Sequence, residues 1–200
     1  MTRTVDLANR SKLLERVAAY VLDHGLADLS LRPLAEAVES SPRTLLYHFG
    51  SKERIVAAVL RGIRERQQAL FARLGGEQTT PVAICRAAWA YMSDPAVGPA
   101  LRLFFETYAL ALRAPERFPG FLEGAVEDWL RFLAAPLLAQ GMEPARARAF
   151  ATVVLGGYRG FMLDYAATGD AERVGAAIDL WSAALHALEP AQENDDAHAP

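Results

Sequence analysis

Apolar residues recur every three to four positions along almost the whole chain, which is the period of an α-helix and not of a strand. Alternation of Val, Ile and Thr is rare, and no segment reads as a convincing strand. Leu14, Val17, Ala18 and Val21 share one face of a first helix, which His24-Gly25 ends, with Gly25 as a left-handed stop. Ser30 precedes "LRPLAEAVE", a second, short helix capped by the Ser30 hydroxyl; Pro33 lies in its first turn, where a missing N–H does no harm. Ser41-Pro42 starts a third helix, a cap followed by proline at the first helical position, and Gly50 breaks it just after Phe49. Ser51 caps a fourth, longer helix that carries Ile55, Val56, Val59, Leu60 and Ile63 on one face and runs to about Leu74.

The segment "GGEQTTP" (75–81) is the best boundary: two glycines, polar residues, then a helix restarted at Thr80-Pro81. Beyond it the pattern predicts helices over about 81–93, 96–113, 119–140, 144–168 and 171–188, with Pro136 kinking or ending the third. The fold class is therefore all-α. It divides into residues 1–74, residues 75–190 and a polar, acidic tail over 191–200 that is expected to be disordered.

Composition excludes several classes of function. The chain is 52% hydrophobic and 22% charged, as in an ordinary globular protein. No apolar run is long enough to span a bilayer, and the N-terminus has no apolar signal core, so a cytoplasmic protein without a membrane partner is expected. The one cysteine, Cys85, and four scattered histidines supply neither an internal disulfide nor a zinc cluster. There is no nucleotide-binding glycine loop, no HExxH, no GxSxG and no metal-spaced carboxylate pair, so neither enzymatic activity nor a cofactor is expected. The net charge of −3 is unevenly placed. Residues 1–74 carry twelve Lys+Arg against eight Asp+Glu, net +4; residues 75–200 carry nine against sixteen, net −7. A basic front end on an acidic body suits a polyanion partner for the front end alone.

The two short helices "LRPLAEAV" and "PRTLLYHF", separated by a tight turn, form a helix-turn-helix candidate. Leu31, Leu34, Ala35, Val38, Leu45 and Phe49 make an apolar inner face, while Arg43, Thr44, Tyr47 and His48 put donors and flat rings on the outer one. In such a unit the second helix enters the DNA major groove, and its N-terminal residues reach base edges. Ser30, Ser41 and Ser51-Lys52 mark three helix starts able to aim N–H groups at phosphates. On periodicity alone, a plain solvated face with Tyr47 and His48 half-packed on the neighbouring helix fits equally well.

The stretch "SLRPLAEAVESSPRTLLYHFGSKERIVAAVL" (30–60) resembles the DNA-binding domain of the TetR family of bacterial regulators. Leu34-Ala35, Ser41, Thr44, Leu45, His48-Phe49 and Ser51-Lys52-Glu53 fall in step with the family pattern. The resemblance implies double-stranded DNA as partner. His48 and Lys52 are then phosphate or backbone contacts, Arg43, Thr44 and Tyr47 lie at or near base-reading positions, and Ser30, Arg32 and Ser41 join the DNA-facing set. Two positions depart from the pattern. Glu39 stands at the turn where the family usually has glycine, implying either a backbone without positive φ or strain of roughly 1 kcal/mol. Leu46 replaces a tyrosine that often contacts phosphate, so that contact is missing or moves to Tyr47.

Beyond residue 75 the resemblance is one of architecture, and it implies a small-molecule effector and a homodimer. "VVLGGYRGFMLDYAATGD" places Gly156, Gly157 and Gly160 in one helix, which is tolerable where backbones approach closely. The last helix carries Ile178, Trp181, Ala184, Leu185 and Leu188 on one stripe. These two helices are expected to meet their symmetry mates in a four-helix bundle, with Gly156, Gly157, Gly160, Ile178, Trp181 and Leu185 at the interface. Trp89, Phe104, Phe105, Tyr108, Trp129, Phe150, Tyr158 and Phe161 either line a hydrophobic effector pocket or fill the core. Arg102 and Glu106, four apart, read as an internal pair. The leading expectation is a dimeric repressor released from a pseudo-palindromic operator by a small apolar effector. The alternatives are a helical small-molecule-binding or enzymatic protein with a vestigial helix-turn-helix, and an effector-free DNA-binding architectural protein.

Overall fold

The protein is seen in a computed structural model that describes residues 2–26, 29–75 and 80–187; Leu188 and the acidic tail lie outside them. The described elements are α1 (Thr2–His24), α2 (Leu31–Ala37), α3 (Pro42–Phe49), α4 (Lys52–Gly75), α5 (Pro81–Met92), α6 (Gly98–Arg113), α7 (Phe121–Ala139), α8 (Pro144–Thr168) and α9 (Ala171–His186), with single 3-10 turns at Pro95–Val97 and Pro115–Arg117. There is no strand among the described residues. They pack as two compact units, Met1–Leu70 with Tyr91–Asp128, and Phe71–Ala90 with Trp129 onwards.

In the first unit, Val17 and Val21 of α1, Leu34, Ala35 and Val38 around α2, Leu45 and Phe49 of α3, and Ile55, Val56 and Val59 of α4 are buried together. Each fully buried side chain of this size is worth about 1.5–3 kcal/mol of transfer free energy, which holds helices too short to persist alone. Gly25, with φ 68°, ends α1 as its sequence implies. Gly50, with φ 87°, closes α3, and the Ser51 hydroxyl accepts from the Arg54 amide to start α4.

Ser30 departs from expectation. Its backbone has N-cap geometry and its carbonyl accepts from the Leu34 amide, but its hydroxyl makes no capping bond. An N-cap side chain bonds the second or third amide of the helix, and the third residue here is Pro33, which has none. The tolerance of the first turn for proline and the use of Ser30 as a cap are thus in competition.

Lower in the unit, Arg64 of α4 meets Asp128 of α7 at 2.7 Å with both side chains largely buried, and Gln68 donates to the Asp128 carbonyl at 3.3 Å. Gly124 is the seat of this pair: a Cβ there would lie 2.5 Å from the Arg64 guanidinium. Glu106 does not pair with Arg102; its carboxylate accepts from the Leu26 amide at 3.1 Å, just past the end of α1. Phe104, Tyr108 and Phe121 pack against one another, tilted or edge-on, at centroid distances of 5.6–6.2 Å, with Phe105 and Phe118 beside them.

In the second unit, the Glu143 carboxylate caps α8 by accepting from the Ala145 and Arg146 amides at 2.9 Å, and these bonds hold it below the usual carboxylate range. Gly169, left-handed with φ 68°, ends α8; Asp170 caps α9 through the Arg173 amide, and Arg173 grips Asp164 through two bonds of 2.7 and 2.8 Å. Asp164 therefore serves the α8–α9 corner. Pro136 does not end α7 at once; the helix continues to Ala139.

Both α8 and α9 are apolar on two sides. On α9, Val174, Ile178, Ser182 and Leu185 are buried, while Ala176, Leu180 and Ala183 form a second stripe left exposed. On α8, Val154 and Leu155 are buried, while Val153, Gly156, Gly160 and Leu163 form an exposed stripe.

Candidate nucleic-acid interface

The eight-residue helix α3 is built to show one face. Proline sits at its first position, and the Ser41 hydroxyl accepts from the Thr44 amide at 3.0 Å while lying 2.8 Å from the Thr44 hydroxyl. One serine thus caps the helix and fixes the Thr44 side chain. Leu45 and Phe49 point into the core, and Arg43 and Tyr47, on the other side, are exposed, Tyr47 by 76%. Thr44 and His48 lie between, half-buried. The solvated and DNA-facing readings both require this arrangement, and a face buried in the protein is excluded.

The rest of the expected set lies at the starts of α2 and α4. Ser30 and Arg32 are exposed, Arg32 lying 3.4 Å from Glu36 one turn on. Lys52, half-buried at the start of α4, donates to the Leu29 carbonyl at 3.2 Å, which ties α4 to the segment before α2 and leaves two ammonium hydrogens for another acceptor. At the turn between α2 and α3, Glu39 has φ 48°, the left-handed region, so of the two implications of its non-glycine character the strained one holds. Arg16 of α1 braces this turn by donating to the Val38 carbonyl and reaching Glu39 at 3.4 Å.

The sequence pattern gives no sign of Arg10 and marks Leu46 only as a departure from the family pattern. The Arg10 guanidinium lies 5.2 Å from the Phe49 ring centre and 3.4 Å from the His48 carbonyl, adding a cation from α1 to the edge of α3. Thirty-eight residues separate Arg10 from His48, and no spacing rule links them. Leu46 is 40% exposed beside Tyr47. Its place on the outer face follows from standing three positions after Arg43.

The expected effector residues divide between the two units. Phe104, Phe105 and Tyr108 belong to the aromatic core of the first unit, whereas Trp89, Trp129, Phe150, Tyr158 and Phe161 belong to the second. There Trp89 packs edge-on to Tyr165 at 5.3 Å and Trp129 edge-on to Phe132 at 5.7 Å, and Phe150 is buried. The Tyr158 hydroxyl is buried and makes no hydrogen bond with the described residues. Burial first, and the nearby Cys85 second, push its pKa well above the ordinary phenol value, so it stays protonated and is a donor without an acceptor.

Of the expected interface residues, Gly156 and Gly160 are exposed with open space where a Cβ would stand. Gly157 faces inward against Trp181, and Ile178 and Leu185 are buried within the chain itself, unlike the expectation for them. Periodicity could not separate the two apolar sides of α9; the exposed one carries Leu180.

Among the described residues, no group of His, Cys, Asp or Glu is placed to hold a metal ion, and no helix is long and apolar enough to cross a membrane. Residues 16–59 match a family model described as bacterial regulatory proteins, tetR family. A search of curated proteins finds no match. Among solved structures, the chain is similar to a transcriptional regulator from Rhodococcus sp. Rha1 (19% identity over 90% of this chain and 98% of that one, TM-score 0.70). It is also similar to GusR of Salmonella enterica (20% identity, 90% and 95% covered, TM-score 0.68). A third likeness is to a TetR-family transcriptional regulator from Pectobacterium atrosepticum (23% identity, 94% and 95% covered, TM-score 0.67). At these identities the likeness to solved structures is one of fold.

Proposed function

We propose, from the premise that the chain belongs to the TetR family of bacterial transcriptional regulators, that it is a cytoplasmic, dimeric repressor released from a pseudo-palindromic operator by a small, mainly apolar effector. The observation that carries the DNA-reading half is the outward face of α3, with Arg43 and Tyr47 exposed over a buried Leu45 and Phe49. Residues 1–74 are assigned to DNA. Arg43 is suited to a bidentate pair with guanine, Thr44 and Tyr47 to neighbouring bases, and Ser30, Arg32, Ser41, His48 and Lys52 to the phosphates.

Residues 75–190 are assigned to the effector and the dimer. Val153 and Leu163, each 53% exposed, flank Gly156 and Gly160 on α8, and Leu180 of α9 is 76% exposed. Large apolar side chains around two open glycines support close packing against a second copy. Two α3 helices about 34–36 Å apart then read two half-sites, and an effector that prefers another spacing loosens both. Tyr158, a buried donor lacking an acceptor, supports an effector with a neutral hydrogen-bond acceptor on an apolar frame.

The test is a gel shift with the DNA flanking the chain's own gene, at two salt concentrations. Specific binding whose affinity falls steeply with salt is expected. Arg43→Ala should relax preference at one base pair, and Lys52→Ala should weaken all duplexes alike and lower the salt slope by about one. If neither variant differs from the parent, the assignment of α3 is overturned.

A further inference from the structure

Among the described side chains of α1 to α4, Leu46 and Tyr47 are the large apolar groups left exposed, and they are neighbours on the outer face of α3. Tyrosine carries a hydroxyl that water satisfies; leucine carries nothing that water does. Leu46 lies one helical turn from Arg43, so their Cβ atoms are about 5–6 Å apart on the same face. The same short helix carries Arg43 and the Ser41–Thr44 hydroxyl pair beside the exposed rings of Pro42 and Tyr47, with Arg10 at its edge. An apolar side chain set in a cationic, hydroxyl-rimmed face fits an anionic partner that offers one apolar spot within a polar wall. In the DNA major groove that spot is the C5-methyl group of thymine, the apolar feature among base-edge donors and acceptors.

We infer that Leu46 is a specificity-determining residue that reads the 5-methyl group of a thymine in each half-site, within two base steps of the guanine contacted by Arg43. The distance follows from the geometry: bases along one strand are spaced about 3.4 Å, so one helical turn on α3 spans one to two of them. A leucine makes no phosphate contact, so at this position discrimination between bases takes the place of sequence-independent grip. The inference rests on the DNA-binding reading of α3 above.

The experiment begins with duplexes selected from a random library by the intact protein. In the best duplex each thymine is replaced in turn by uracil, which removes the methyl group and leaves the pairing edge unchanged. At one thymine per half-site, within two steps of the position that Arg43→Ala relaxes, uracil should weaken the parent about fourfold, the effect of one methyl-sized group leaving an apolar contact. Leu46→Ala should bind thymine and uracil duplexes alike, and Leu46→Met should restore the difference. Because Leu46 is on the surface, both variants should melt with the parent. Selected duplexes whose affinity ignores uracil everywhere, or a thymine preference that survives in Leu46→Ala, overturn the role of Leu46 and leave the regulator reading standing. A lower molecular mass of Leu46→Ala in solution, with DNA binding unchanged, assigns the side chain to a protein contact and likewise overturns it. A protein that selects no duplex overturns the regulator reading and this inference together.

Discussion

The indole ring of Trp181 fills the space in which a side chain at Gly157 would begin: a Cβ there would lie 2.6 Å from ring carbon Cζ2 and 2.9 Å from Cε2. Phe161, one turn further along α8, meets the same ring in a T-shaped contact at 5.4 Å between centroids. Gly157→Ala should destabilise the protein by about 1–3 kcal/mol, since the indole has to leave its place, whereas an ordinary helical Gly→Ala exchange is favourable. Urea unfolding followed by tryptophan fluorescence measures it. A stability equal to or above that of the parent would refute the contact.

Glu39 holds a left-handed backbone that a glycine adopts without penalty. Glu39→Gly should raise stability by about 1 kcal/mol, less what the exposed Arg16–Glu39 pair contributes, which is small. Glu39→Val, with its branched Cβ, should lower it. Thermal melts of the two variants should move in opposite directions, with DNA affinity at fixed salt rising slightly for the glycine.

Leu180, Val153 and Leu163 project from the exposed stripes of α8 and α9. For the dimer proposed above, Leu180→Glu should leave single chains at micromolar concentration, as sedimentation would show, and weaken binding to two-half-site DNA far more than to a single half-site. Ile178→Ala, at a position buried in the protomer, should instead cost about 2–5 kcal/mol of stability. Interchanged outcomes would show that the two sides of α9 have been assigned the wrong way round.

The Tyr158 hydroxyl is buried without an acceptor, which costs about 1–3 kcal/mol. Tyr158→Phe should therefore stabilise the effector-free protein, read as a higher melting temperature. The same variant should lose affinity for an effector that supplies the acceptor.

Burial pushes the Glu53 carboxyl up, but its backbone bond, the Arg117 guanidinium and the Ser51 hydroxyl together hold it below the ordinary 4.5. A carboxyl whose pKa is lower in the folded state adds stability above its unfolded pKa and loses it as pH falls through the folded value. Parent and Glu53→Gln should thus differ most near neutral pH, by on the order of 1 kcal/mol with Arg117 half exposed, and converge below pH 4.5. Denaturant titrations at pH 7 and pH 3.5 make the comparison.

Local signals were the ones that could be read from the residues. Ser41-Pro42 and Gly50 bracket α3 with bonds and angles that belong to those residues alone, and the alternation of inner Leu45 and Phe49 with outer Arg43 and Tyr47 follows from helical period. Where two local signals compete, the reading failed: Ser30 signals a cap and Pro33 removes its target. Where a helix is apolar on both sides, period identifies stripes but not which one turns inward, hence Ile178 and Leu185. Partners distant in sequence leave no pattern at all. Nothing in the spacing of Phe104 and Tyr108 announces Phe121, nothing in Glu106 announces the Leu26 amide, and Arg10 gives no sign of Phe49.

Two residues, Gly50 and Ser51, are all that separate α3 from α4, and Lys52 adds a bond back to Leu29. With so short a joint, a rotation of α4 would carry α3 with it. At 1.5 Å per residue α4 is about 36 Å long. A tilt of roughly 5° about its far end carries the tip through about 3 Å, close to the rise from one base pair to the next. A rod of this length would turn a rotation of a few degrees into a displacement of about one base step at its tip.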